Sequence, residues 1–267
     1  MLDALIQTAA PTIGAARAIG AARSIEEGKM ATVLVPGFSP QASGFRFRNA
    51  FAPAPIRELR LQGVATLTIG DAANGLCGGM SFSAADLHGA SVAPPSDTTP
   101  PVAGSPAFDY IVNRQIASFA GGIVPLRFYR LMDPRRPERE PFWASWLGWA
   151  GLDRHSRTYV MVREEWPRIR SDLDQGKLSM IGLVRVIDRD PRKLSSNHQV
   201  VAYGYDLQGS QVTLRIYDPN WPGEEVTLGF DAADPNGSIR PAYSTTDAPL
   251  VCFFRAPYEA QEPTVWR

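Results

Sequence analysis

The chain has 267 residues, 44% hydrophobic and 20% charged, a composition that excludes a wholly disordered protein and fits one large domain or two small ones. Its 27 basic residues, all arginine apart from Lys29, Lys177 and Lys193, are balanced by 27 acidic ones, so no basic excess points to nucleic acid. Two cysteines are too few for a disulfide scaffold, and three histidines without Cys-x-x-Cys or His-Glu-x-x-His spacing imply neither a metal nor a cofactor.

Residues 1–29 are rich in Ala and Ile and predict a helical arm broken at Pro11, docked on the body or offered to a partner protein. An acid at position 3, where a secretory signal carries basic charge, argues for a cytoplasmic protein or one exported without a standard signal peptide. No apolar run reaches the ~18 residues of a helical membrane span. Residues 30–267 read as one further domain. Ala31–Val35 and Val64–Ile69 predict short strands, and Phe45, Phe47 and Phe51 between them are expected to pack inward. Gly75 to about Ala90 predicts a central helix that begins near Cys77, apolar on nearly every side. Five prolines in 91–106 predict a loop, either a surface excursion or a cover for a substrate. A helix follows from Phe108 to Phe119, ended by Gly121-Gly122. Trp143, Trp146 and Trp149 fall on one helical side, suited to a core or a substrate groove. Tyr159 to Leu173 predicts an amphipathic helix kinked at Pro167 and closed by Gly176.

After that point strands dominate: 178–187, 198–205, 212–217, 226–230 and 250–254. Helices first and antiparallel strands last predict an α+β fold, a helical lobe packed on a sheet.

Three segments carry chemistry. In Asn74-Gly75-Leu76-Cys77-Gly78-Gly79-Met80 a thiol opens a helix. Unpaired N–H groups and the positive helix end there favour a thiolate and can hold an oxyanion at the Cys77 N–H, with Asn74 as a second donor or a helix cap. Gly78 and Gly79 leave room for a substrate. His198 opens an apolar strand and is the candidate base. A hairpin centred near residue 208 would set Asp218 opposite His198 as the group orienting it, with Asn220 as the alternative. Sequence spacing alone cannot bring Cys77 to His198. Cys252 lies in an apolar run and reads as core.

Gly-Leu-Cys-Gly-Gly-Met on a helix, Asn197-His198-Gln199-Val200 and Tyr217-Asp218-Pro219-Asn220, in that order, resemble the papain-like cysteine peptidase superfamily. The closest likeness is to its bacterial branch that includes bacteriocin-processing peptidases. The resemblance covers roughly residues 30–255. It implies a papain-like fold and a thiol hydrolase of peptide or protein substrates, with Cys77 as nucleophile, His198 as base and Asp218 as orienting acid. Trp221 is similar to a tryptophan that shields this pair in papain relatives and is grouped with Gly78 and Gly79 on the substrate side. The superfamily's oxyanion-donating Gln, about six residues before the Cys, has no counterpart here: Asp71 stands there. That departure leaves a deamidase, an amidase, an acyl transferase, a delivered effector or toxin, and a catalytically silent binding module as alternatives.

Overall fold

Alternating apolar residues in the last third of the chain build a wholly antiparallel, curled sheet of seven strands against which the helices pack. The structure is a computed structural model that describes residues 30–54, 58–61, 65–68, 71–139, 155–246 and 250–267. The expected arm at 1–29 and Trp143, Trp146 and Trp149 lie outside the described residues.

The sheet comprises β1 (Ala31–Leu34), β4 (Ser179–Val184), β5 (His198–Gln208), β6 (Gln211–Tyr217), β7 (Val226–Asp231), β8 (Ala242–Tyr243) and β9 (Cys252–Ala256), in the order β8-β7-β6-β5-β4-β9. β5 is the organising strand. β6 takes one edge, while the other is shared by β4, with Leu183 opposite His198, and β1, with Leu34 opposite Gly204. Its first eight residues are all buried, because helices cover the face that the rest of the sheet does not. A separate hairpin pairs β2 (Glu58–Leu61) with β3 (Ala65–Thr68).

The α+β class is as the sequence predicts. The first helical turn, α1 (Pro40–Ser43), is capped by the Ser39 hydroxyl. The central helix α2 (Cys77–Gly89) buries ten of its 13 residues, so it has no solvent face to speak of. Its charged Asp86 survives burial because Arg114, 2.6 Å away, and the Tyr110 and Tyr258 hydroxyls surround it. Those contacts clamp α2 to α3 (Pro106–Ala117) and to the C-terminal segment. Phe45, Phe47 and Phe51 are buried as expected.

Two helical features depart from the sequence reading. After the Gly121-Gly122 stop the chain resumes as α4 (Ile123–Met132), a helix the sequence reading does not include. Val124, Phe128 and Leu131 form its buried stripe, and Pro125 is tolerated because it lies in the first turn. The kink expected at Pro167 takes the form of a π-helical stretch, Val160–Glu165, leading into α5 (Trp166–Asp174). Proline has no N–H to continue the regular ladder, and the Trp166 N–H reaches back to the Met161 carbonyl instead. Residues 91–105 form an irregular surface segment and do not line the cleft that holds Cys77. Among the described residues no helix is long and apolar enough to cross a membrane, and no cluster of three or more potential metal ligands occurs.

Candidate active site

The Cys77 environment is set by the turn that precedes α2. Asp71 caps a short 3₁₀ turn, Ala72–Asn74, by accepting from the Ala73 N–H at 2.9 Å, and it also accepts from the Ala54 N–H at 3.0 Å. Gly75 then takes φ +89°, a left-handed conformation that L side chains rarely adopt. A Cβ there would also meet the Asn49 amide at 2.6 Å. The chain so turned delivers Cys77 to the first position of α2, partly exposed, with Leu76 at the cap and no side chain capping the helix.

The N–H groups at this helix end divide in two. Leu76 donates to Asn49 Oδ1 at 2.6 Å, and Gly79 donates to Gln115 Oε1 at 2.8 Å. Among the described residues the N–H groups of Cys77 and Gly78 have no acceptor, which leaves the thiol beside unspent donors at the positive end of a helix.

The first residue of β5 supplies the partner. His198 is buried and shares one cleft with Cys77 and Gln199, close enough for its charge to act on the thiol. On the other side of the ring, His198 Nε2 lies 2.7 Å from Asp218 Oδ1. Asp218 is fully buried; it also accepts the Asn220 N–H at 2.8 Å and, through Oδ2, the Tyr243 hydroxyl at 2.7 Å. The β5–β6 turn is centred at Gly209-Ser210 rather than near residue 208, and a bulge between Ala202 and Gly204 adjusts the register so that Val201 lies opposite Tyr217. Asp218 therefore reaches His198 diagonally and not from directly across.

The charges follow from this geometry. Burial pushes the Cys77 thiol up, but the His198 charge and hydrogen bond, with the Gln199 N–H, outweigh it and hold the thiol below its ordinary value. Burial pulls His198 down, yet Asp218 and Cys77 raise it to about 9. Burial likewise works against ionised Asp218, and His198, Asn220 and Tyr243 hold it below the usual carboxylate range. The three groups are thus placed to exist as thiolate, imidazolium and carboxylate. Cys252 is fully buried and its thiol is pushed up to about 12, the opposite of Cys77.

Cys77 and His198 share one cleft, and Asp218 lies behind His198. Asn74 is exposed on the wall of the same cleft, a cavity of about 290 Å³. Asn220 lies 3.2 Å from His198 Nε2, but that nitrogen carries one proton and the nearer Asp218 carboxylate takes it. Asn220 braces the pair instead of orienting it.

Three expectations are corrected. Gly78 and Gly79 do not open a path for substrate: both are buried, and a Cβ on either would strike α3 or the residues after it, at Ser118 and the Ile111 carbonyl. They are small so that two helices can approach. Trp221 does not line the Cys77 cleft; it lies in an adjoining cavity under the Arg48 guanidinium. Asn74 does not cap α2.

Sequence reasoning misses Asn49, Gln115 and Tyr243. Gln115 is the one with a detectable signal, being, with Arg114, a polar residue on the buried side of α3 beside Phe108 and Ile111. No family model matches this chain, and neither a curated protein nor a solved structure matches it.

Proposed function

We propose that the protein is a papain-like cysteine hydrolase that cleaves an amide or peptide bond. The observation that carries this reading is one arrangement: a partly exposed thiol at a helix N-terminus, in one cleft with an imidazole whose Nε2 is 2.7 Å from a buried carboxylate.

In this mechanism the Cys77 thiolate attacks the carbonyl carbon, and the carbonyl oxygen takes up the negative charge. The Cys77 N–H, which has no acceptor among the described residues, is available to that developing charge, with the Asn74 amide on the same cleft wall as a second donor. The His198 imidazolium then passes its proton to the departing nitrogen, the carbon–nitrogen bond breaks, and a thioester forms on Cys77. A water enters, His198 takes its proton, and hydroxide attack releases the carboxylic acid and restores the thiol pair. Asp218 holds the imidazole in one orientation and balances its charge throughout. No step requires a metal or a cofactor.

The test is the rate of Cys77 alkylation by iodoacetamide against pH, in wild type and His198→Ala, with Cys252 as internal control. Fast reaction of Cys77 well below the ordinary thiol pKa of ~8.5, abolished in the variant, is the expected result. A Cys77 as inert as Cys252 sinks the hydrolase reading and leaves a silent binding module.

A further inference from the structure

A second cavity, of about 480 Å³, shares Asn49, Arg185 and Asn220 with the Cys77 cleft and is further walled by Arg48, Trp221 and Thr245. It carries two guanidinium groups, and none of its described lining residues is acidic. Arg48 lies over the Trp221 ring with its guanidinium carbon 5.3 Å from the ring centre, a contact that steadies the group without neutralising it. Arg185 follows the last residue of β4, and its backbone N–H is pinned by Asn197 Oδ1 at 3.1 Å.

Several of this chain's arginines pair with carboxylates: Arg114 with Asp86, Arg192 with Asp190, Arg215 with Asp206 and Glu225, and Arg255 with Asp172. Among the described residues Arg48 and Arg185 have no carboxylate partner. Two uncompensated cations at one cavity, in a chain of zero net charge, make a local positive field beside the nucleophile.

We propose that this cavity is a specificity subsite for an acidic side chain of a peptide substrate, held between Arg48 and Arg185. The planar guanidinium fork matches a carboxylate, and two forks from different segments fix its direction as well as its charge. Asn49 and Asn220, common to both cavities, form the shared wall, so a peptide lying across them presents a neighbouring amide to Cys77. The substrate class rests on the hydrolase reading; the carboxylate site itself rests on the arginines alone.

The experiment uses the full chain as Cys77→Ala, so that no covalent step intervenes. A library of acetylated peptide amides, with Glu or Gln placed at each position in turn, is offered, and the bound fraction is read by mass spectrometry. At one position Glu is expected to be enriched over Gln by about tenfold, and the Arg48→Gln/Arg185→Gln pair of substitutions brings that ratio to about one while leaving the melting temperature unchanged. No Glu preference at any position, or a preference that survives both substitutions, overturns the proposal. If Glu is selected through the two arginines while Cys77 of the wild type proves inert, the subsite stands and the hydrolase reading falls. The reverse pattern removes the subsite and leaves the hydrolase.

Discussion

Asn49 donates through Nδ2 to Asn220 Oδ1 at 3.2 Å, and its own Oδ1 accepts the Leu76 N–H at 2.6 Å. One amide thereby ties Leu76, the residue before Cys77, to the turn that follows Asp218. The link is reinforced by the Asn49 backbone, whose N–H donates to the Pro219 carbonyl at 3.0 Å. Both halves of the candidate site are linked through this one side chain. Asn49→Ala leaves the buried Leu76 N–H without its acceptor. A loss of about 1–3 kcal/mol in urea unfolding is expected, together with slower alkylation of Cys77. Unchanged alkylation would show that the cysteine turn keeps its shape without Asn49.

Tyr243 gives Asp218 one of its three hydrogen bonds, and its own hydroxyl proton is held well above the ordinary range by burial and by that carboxylate. Tyr243→Phe removes a donor to a charged acceptor, a change of about 1.5–3 kcal/mol. Asp218 is a depressed carboxylate, so its contribution is present above its unfolded pKa of ~3.9 and is lost as pH falls through the lower folded value. The variant raises that folded value. Its stability should therefore fail at a higher pH than wild type on the acid side, as measured by urea midpoints across that range.

The pair of Cys77 and His198 gives two opposed slopes. His198 is raised to about 9, so its contribution is complete below the unfolded pKa of ~6.5 and is lost as pH rises through about 9. Cys77 is lowered, so its contribution is complete above ~8.5 and is lost as pH falls through its folded value. Both count the same ion pair, and the slopes offset each other. Cys77→Ser removes the thiol's slope and leaves the part of the His198 slope that Asp218 maintains. Thermal melts from about pH 6.5 to 9 should show the serine variant losing stability with rising pH more steeply than wild type. Parallel curves would mean that no thiolate–imidazolium pair forms.

Gly79 and Gly89 sit in the same helix and separate packing from propensity. An added Cβ at Gly79 meets the Ile111 backbone carbonyl, whereas at Gly89 it meets nothing within 4 Å. Gly79→Ala should destabilise by about 1–3 kcal/mol despite its better helix propensity. Gly89→Ala should be neutral or stabilising by up to ~1 kcal/mol. Chemical unfolding of both variants checks the contrast; equal effects would remove the close-approach argument for Gly79.

Local physics is what the sequence by itself determined. A cysteine between glycines at a helix start, a histidine opening an apolar strand and an acid closing the next strand are legible because helix ends, strand alternation and hairpin return are short-range properties. Most of the strands in the last third of the chain follow for the same reason. The tertiary structure alone decided that α2 meets β5, and with that the contact of Cys77 and His198. It also decided what each small or polar residue is for. Gly78 and Gly79 look like open ground beside a nucleophile until α3 is seen packed upon them. Trp221 follows the acid in sequence, yet the turn carries it into the neighbouring cavity. Asn49 and Asn220 stand 171 positions apart, and nothing in either segment foretells the other. Hydrogen bonds of that kind depend on how whole elements are stacked, which burial of the shared core settles and local spacing does not.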